Sequence, residues 1–572
     1  MADSQVEANR KLLMDAQENG GVLKAFIKLS GPGWLQSAIT LGGGSLAGSL
    51  FLGVLGGTNL LWLQLLAIAF GVIMLSAISF VTLSTGKKPF QAINEHINPV
   101  LGWGWLIATI MANVIWCMPQ FSLCFAALQK NLVGSERVED SIANKMTVSI
   151  VILLLTLGVV ILNRKQGLGA KIFDLLLKGL VAIIVLCFFG VIIYLTYSGQ
   201  LSWGSILTGF IPDLSQAFNP TGEVATLISG LPDANAQEFW SSRVVKEQRA
   251  VMIGAAATAV GINMTFLLPY SMLNRGWDKP FRGLARFDLA TGMAIPYVLV
   301  TSCVVIASAS SFHGQPAPLL ESNEPSEIAT SPLFKGAIAM LSARTGDSVS
   351  SKDYGKMSEA DQAAVLARIA ELSVDERRIA ASLVKRDAFQ LSKSLAPLLG
   401  PDNANLVFGL GIFGMGFSTI IILMLINGYA FCEMLGKDQG SWPFLVGVIL
   451  AGGAGATWPY VWDGDAKLWL AILASSFGAM LLPIAYVAFF MMMNNKKLMG
   501  EEKPKGTSMV VWNILMALSV AGAIAAATTA IIDKANDPKA GTVVLTIAVG
   551  YLIAVAIGFA IKLPKKNDVT ST

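Results

Sequence analysis

Apolar residues in this chain gather into runs separated by short polar stretches, and the runs are long. They fall at 34–56, 60–84, 101–129, 146–162, 172–197, 250–273, 288–311, 404–431, 443–461, 467–493, 508–532 and 541–562. A bilayer crossing takes roughly 20 apolar residues, so the pattern predicts twelve membrane-spanning helices. Small, uncharged residues interrupt two of the runs near mid-span. The first break reads Thr40-Leu41-Gly42-Gly43-Gly44-Ser45-Leu46, and the second reads Val260-Gly261-Ile262-Asn263-Met264. Interrupted spans at corresponding places in two halves point to a binding site near the bilayer midplane. Five spans run from the first break to the second, so the second unit enters from the opposite side. The expected fold is an all-α polytopic membrane protein: a five-plus-five inverted repeat with broken helices 1 and 6, and spans eleven and twelve added at the periphery.

Composition agrees. Of 572 residues, 54% are hydrophobic and 14% charged, with a mean hydropathy of +0.61; a soluble domain carries about 25% charge. The net charge of +4 is ordinary, but the placement of basic residues is not. Lys87-Lys88, Arg164-Lys165, Arg275/Lys279/Arg282/Arg286, Lys496-Lys497/Lys503/Lys505 and Lys565-Lys566 all fall on one side of a twelve-span topology. Basic loops stay inside, which puts both termini in the cytoplasm of a multi-pass plasma (inner) membrane protein. The chain then divides into a cytoplasmic arm (1–30, without a signal-peptide pattern), a first repeat (31–200), an extracellular loop (201–249), spans six and seven (250–312), an extracellular, partly helical insert (313–402), spans eight to ten (403–495), spans eleven and twelve (506–562) and a cytoplasmic tail (563–572). Within the insert, Val365, Ile369, Leu372, Ile379 and Leu383 form a helical apolar stripe among charges, and Ser358 with Asp361 reads as a helix start. That stripe fits an ordered cap, or else a partner- or dimer-forming element. His313–Pro332, rich in proline, reads as loop.

Several chemistries are excluded. There is no Walker-type loop, no catalytic triad order and no basic–aromatic surface for nucleic acid, so neither an enzyme nor an ATP-driven pump is expected. Cys117, Cys124, Cys187, Cys303 and Cys432 lack metal or disulfide spacing. Between Glu18 and Glu95 no acidic residue occurs, and from Gly31 to Gly86 there is no charge of either sign. At a helix break, unpaired N–H groups open the second half-helix at its positive dipole end, and glycines allow an anion to approach that backbone. Gly42, Gly43, Gly44 and Gly261 are therefore candidate substrate-binding positions, with Thr40, Ser45 and Asn263 as side-chain donors. Close helix packing is the competing account of such glycines. On span three, Asn113, Trp116, Pro119 and Gln120 are candidate pathway residues. Asp174, four residues from Lys178 on span five, fits an ion pair or a relay.

Several motifs, in order, resemble the Nramp family of transporters, whose architecture is that of the LeuT group: Gly31-Pro32-Gly33-Trp34, Thr85-Gly86-Lys87, Glu95-His96, Phe287-Asp288, Phe312-His313, Ala396-Pro397-Leu398-Leu399-Gly400, Gly416-Phe417-Ser418-Thr419 and Lys497-Leu498-Met499-Gly500. The departures fall on the substrate site. Where the metal-carrying members have Asp-Pro-Gly-Asn, this chain has Gly42-Gly43-Gly44-Ser45. Where they have Ala-x-x-Met, it has Val260-Gly261-Ile262-Asn263, followed by Met264-Thr265. The resemblance thus implies a site without the family's carboxylate, amide, thioether and histidine, and no transition-metal site is expected. A neutral glycine-rich site is similar to that of an Nramp-related branch that carries bicarbonate. The LeuT likeness implies Na⁺ as coupling ion between the Leu41 carbonyl and the hydroxyls of Ser418 and Thr419, with no other cofactor. The leading expectation is Na⁺-coupled symport of bicarbonate or a similar small anion. The alternatives are a divalent-cation (Mg²⁺/Mn²⁺-type) transporter of altered selectivity, or a symporter of a small organic solute. The expected partners are a small inorganic ion and the lipid bilayer, with no nucleic acid; no oligomeric state follows.

Overall fold

The computed structural model describes residues 3–164, 182, 185–438, 440–462, 467–536 and 541–561, and every regular element among them is helical. The helices that build the site are α1 (Pro32–Thr40), α2 (Gly43–Gly56), α3 (Leu61–Thr85), α4 (Pro99–Ala127), α5 (Ile142–Arg164), α6 (Ala234–Ala259), α7 (Ile262–Asn274), α8 (Arg282–Leu289) and α9 (Ile295–Phe312). After them come α10 (Glu359–Ala370), α11 (Val374–Leu383), α12 (Pro401–Met434), α13 (Trp442–Ala456), α14 (Trp469–Asn494), α15 (Gly506–Ala535) and α16 (Gly541–Ala560). Among the described residues, nine helices are long and apolar enough to cross a bilayer, and the pair α1–α2, bent by 49°, makes a tenth.

Twelve crossings were expected. Helix α13, in the ninth place, is a shorter apolar helix; of the expected fifth span, 172–197, the described residues include Val185–Tyr197, and its earlier part lies outside them. The apolar run at 443–461 is cut because Pro459 opens a separate turn at Trp458–Val461, where its missing N–H fits a helix start and not a helix interior. Asp174, with Lys171 and Lys178, lies outside the described residues, as does the tail from 562 onward. The sixth span begins earlier than its apolar run. Helix α6 starts at Ala234, and its outer turns carry Glu238, Arg243, Lys246, Glu247 and Arg249, which conceal them from a hydropathy reading.

Small residues let the spans approach. Helix α2 packs against α6 and α9, α12 lies along α4 and α13, and α14 contacts α6, α4 and α15. A methyl group at Gly53 of α2 would come within 2.4 Å of the Val305 carbonyl on α9, so that crossing exists only with glycine. The N-terminal helix Asp3–Asn19 docks beside the α7–α8 connection, with Leu13 buried and Arg10 3.0 Å from Asp278. Arg282 reaches Glu502 at 2.6 Å, and Lys88 reaches Glu433 at 3.1 Å. The arm and the loops rich in basic residues therefore share one face of the bundle.

The insert covers the opposite face. Ser358 accepts from the Asp361 N–H at 3.2 Å, and Ser373 with Glu376 forms a capping box on α11. Val365, Ile369, Ile379 and Leu383 are buried and Leu372 is half-buried. Glu376 accepts from Trp240 of α6 at 3.1 Å and from Arg344 at 2.7 Å, so α11 is fastened to α6, while α10 packs against the insert helices Pro325–Thr330 and Phe334–Arg344. The expected loop at His313–Pro332 contains two short helices, Pro318–Glu321 and Pro325–Thr330, each started by its proline.

Candidate ion-binding site between two helix breaks

Helix α1 stops at Thr40 and α2 starts at Gly43. Between them Leu41 N–H bonds Ser37 O and Gly42 N–H bonds Ile39 O, while the N–H groups of Gly43, Gly44 and Ser45 have no backbone acceptor. The carbonyls of Thr40 and Leu41 have no backbone donor either. At the second break, Val260 (φ −143°, ψ 110°) and Gly261 (φ −90°, ψ 164°) are extended, and the N–H groups of Gly261, Ile262 and Asn263 are similarly free of backbone partners. The two breaks touch. Ser45 Oγ donates to Thr258 O at 3.3 Å, and Thr40 Oγ1 lies 3.6 Å from Met264 Sδ. Two positive half-helix ends thus meet inside the bundle, beside the unpaired Thr40 and Leu41 carbonyls.

A cavity of about 30 Å³ lies there. It is lined by Ile39, Gly44, Ser45, Trp116, Pro119, Gln120, Thr258, Gly261, Met264, Thr419, Leu423, Ala471 and Ser475, and by no charged side chain. One water needs about 10–15 Å³, so there is room for a few atoms, not for a metal ion with a full hydration shell. Trp116 Nε1 and Gln120 Oε1 are buried without a partner, and so are both amide atoms of Asn263. Buried polar atoms are normally paired, and Trp116 and Gln120 line the cavity, where a cargo would pair them.

The expected residues divide. Gly44, Ser45, Gly261 and Thr419 line the cavity, and so do Trp116, Pro119 and Gln120 of α4. Thr40, Leu41, Gly42, Gly43, Asn263 and Ser418 do not, nor does Asn113. Thr40 and Thr419 bond carbonyls of their own helices, Gln36 at 3.1 Å and Met415 at 2.7 Å, and Ser418 also bonds Met415 O at 3.0 Å. Of the expected Na⁺ hydroxyls, only Thr419 also faces the break: a methyl at Gly42 would sit 2.5 Å from its Oγ1. Gly42 and Gly43 are closely packed: a Cβ at Gly42 would lie 2.9 Å from the Ile39 carbonyl oxygen, and one at Gly43 would have to displace Leu123 Cδ1, 2.5 Å away. Gly261 is packed as closely, with its missing Cβ 2.2 Å from the Trp116 ring. A thioether does line the cavity, from Met264, one residue beyond the aligned family position. Thr258 and Ser475 also line the cavity and had no motif to single them out, although Thr258 stands just before the second break and Ser475 is a hydroxyl in an apolar run.

Residues 33–343 and 363–530 match the family model described as "Nramp: Natural resistance-associated macrophage protein-like". The chain belongs to the Nramp family. Among curated relatives it is similar to the metal transporter Nramp6.2 of Populus trichocarpa, 26% identical over 209 residues, which is 36% of this chain and 35% of the relative. It is also similar to the divalent metal cation transporter MntH of Brucella suis biovar 1 (strain 1330), 23% identical over 202 residues, 35% of this chain and 41% of the relative. The matched stretch spans well under half the length of either. In fold, the Nramp chain is similar to two mutant forms of the manganese transporter of Eremococcus coleocola, with TM-scores of 0.61 and 0.60, 14% identity and 94% of each chain covered.

The Nramp framework is therefore retained while the lining of its centre is neutral. Among the described residues no group of three His, Cys, Asp or Glu side chains comes together. Hard divalent ions take oxygen ligands that usually include carboxylate, and softer ones prefer imidazole or sulfur; here the sulfur of Met264 is the one soft donor.

Proposed function

We propose that this Nramp-family protein is a secondary transporter that moves a small anion, with bicarbonate as the first candidate, together with Na⁺ by alternating access. The observation that carries the reading is the uncharged cavity between two half-helix N-termini, where free N–H groups and Trp116 Nε1 offer donors and no carboxylate stands by. An indole N–H is a donor only, useful to an anion and useless to a cation. Na⁺ suits the unpaired Thr40 and Leu41 carbonyls with Thr419. Carried together, the two ions form a nearly neutral load, which lowers the cost of charge at the midplane. The plasma membrane, with both termini inside, is the proposed location on the basis of the basic loops.

A second reading, transport of a divalent metal cation, is favoured by the names of the relatives, both metal transporters, and by the Met264 thioether. It requires an ion that binds with hydroxyls, carbonyls and one sulfur and no countercharge, a costly arrangement inside a bilayer. Tracer uptake into proteoliposomes separates the two. Labelled bicarbonate entering only with an inward Na⁺ gradient supports the first reading. Saturable Mn²⁺ or Mg²⁺ uptake, with no bicarbonate uptake, replaces it by the second.

A further inference from the structure

Just after α11 in the insert, the segment Val384–Asp387 crosses the ends of α6, α9 and α14, of which α6 and α14 line the cavity. Lys385 Nζ stands 3.4 Å from Glu247 of α6 and 4.4 Å over the ring of Trp469 at the start of α14. Trp469 in turn packs edge-on against Phe51 of α2, with centroids 4.8 Å apart. Arg386, next in sequence, points inward and stacks 4.8 Å over Phe312 at the end of α9.

Arg386 is anomalous. Its residue is 6% exposed, its Nη2 makes one long contact of 3.5 Å to Ala381 O, and its Nη1 has no partner. The nearby acids are engaged elsewhere: Glu247 with Lys385, and Asp387 with Lys130 at 3.7 Å and with the N–H of Gln390 at 2.8 Å. Burial pushes the guanidinium down to about 10, and no opposing carboxylate offsets that effect. At neutral pH it stays charged. A buried, unpaired cation costs several kcal/mol unless an anion or a hydrogen-bond network compensates it. By contrast, buried Arg377 is bonded to Ser322 O, Glu321 O and Asn323 Oδ1, so the insert does pair an arginine where it serves only structure.

We propose that Arg386 is the binding group of a small-oxyanion site at the outer mouth, from which the cavity between the helix breaks is loaded. A planar guanidinium fork held against an aromatic ring suits a planar or tetrahedral oxyanion. The loading step rests on the anion reading above; the binding step does not.

The test uses the purified full-length protein and sodium bicarbonate as probe, against sodium gluconate at equal ionic strength and pH. Thermal unfolding is followed for wild type, Arg386→Met, Gly44→Asp and the double variant. Bicarbonate is expected to raise the Tm of Gly44→Asp, whose central cavity is blocked, and to leave the double variant unmoved. In gluconate, Arg386→Met should be at least as stable as wild type, because an uncompensated buried charge has been removed. If Arg386→Met does not fold, Arg386→Gln takes its place in the same comparison. An equal bicarbonate shift with and without the guanidinium overturns the site, and so does loss of stability in gluconate for both variants. In proteoliposomes, removing Arg386 should raise the apparent KM for bicarbonate about tenfold or more, the worth of a charge-assisted hydrogen bond. An Arg386-dependent Tm shift in a protein that takes up no bicarbonate would keep the site and reject the transport reading alone.

Discussion

Gly33 donates its backbone N–H to the carboxylate of Asp288 at 2.7 Å, and the same carboxylate accepts from Gly31 N–H at 3.1 Å. Helix α1 thus has N-terminal donors that lack intrahelical acceptors satisfied by an acid on α8, a partner 255 residues away in sequence. Gly33 is needed for the approach, since a Cβ there would lie 2.2 Å from Asp288 O. The contact fastens the half-helix that must swing if the cavity is to open toward the face bearing the N-terminal arm.

Asp288→Ala should release α1. Hydrogen bonds to a charged group contribute about 1.5–3 kcal/mol, so the released population should rise roughly 10–100-fold. Gln36, fully buried on α1, gives the measurement. In a background without native cysteines, Gln36→Cys should be labelled from the arm side much faster when Asp288 is replaced. Unchanged labelling would mean that α1 does not move as a gate.

Gly44→Asp should abolish bicarbonate uptake by like-charge repulsion while the protein stays folded. Gly44 is the suitable position because an added Cβ meets only Thr258 Cγ2 at 3.4 Å and Gln120 Nε2 at 3.9 Å. Gly43 is worse for this purpose, since its Cβ would collide with Leu123. Full uptake in well-folded Gly44→Asp removes the anion from this cavity. New Mn²⁺ binding by the variant, read by calorimetry, would fit a neutral site converted toward a cation cage.

Asp140 bridges Lys145 at 2.7 Å and Lys467 at 2.8 Å, and both lysines are buried. Burial pushes its carboxyl up, but the hydrogen bonds and charges of the two lysines outweigh that and hold it below the usual range. Its folded value lies below its unfolded value near 3.9. The stabilisation is therefore fully present above about pH 4–5 and lost as pH falls through the folded value. Asp140→Asn should destabilise by about 1–3 kcal/mol at pH 7, less than a fully buried pair because Asp140 is partly exposed. Thermal unfolding of wild type should be flat in this respect from pH 5 to 8. Equal stability of Asp140→Asn and wild type at pH 7 would show the junction to be held by packing alone.

Orientation is open to a direct check. Ala364 is exposed on α10 of the insert, and the basic loops place the insert outside. In the same cysteine-free background, Ala364→Cys should react with an impermeant maleimide in intact cells. Reaction only after permeabilisation would invert the topology.

Hydropathy and glycine placement were enough, in the sequence alone, to give an all-helical membrane chain with spans broken at Gly42–Ser45 and Val260–Asn263, and the ordered motifs pointed to the family. Both features are local: length of apolar run and loss of helix propensity at glycine are properties of a segment. Where polar residues conceal a helix, as in the outer turns of α6, or a proline splits an apolar run, as at Pro459, the local signal misplaced the boundary. The cavity lining was a different matter. Membrane spans are apolar all round, so no period in the sequence says how each is rotated about its axis. Only packing against α4, α12 and α14 decided that Gly44 and Met264 face inward while Gly43 and Asn263 do not line the cavity, and only the folded insert brought Arg386 over Phe312.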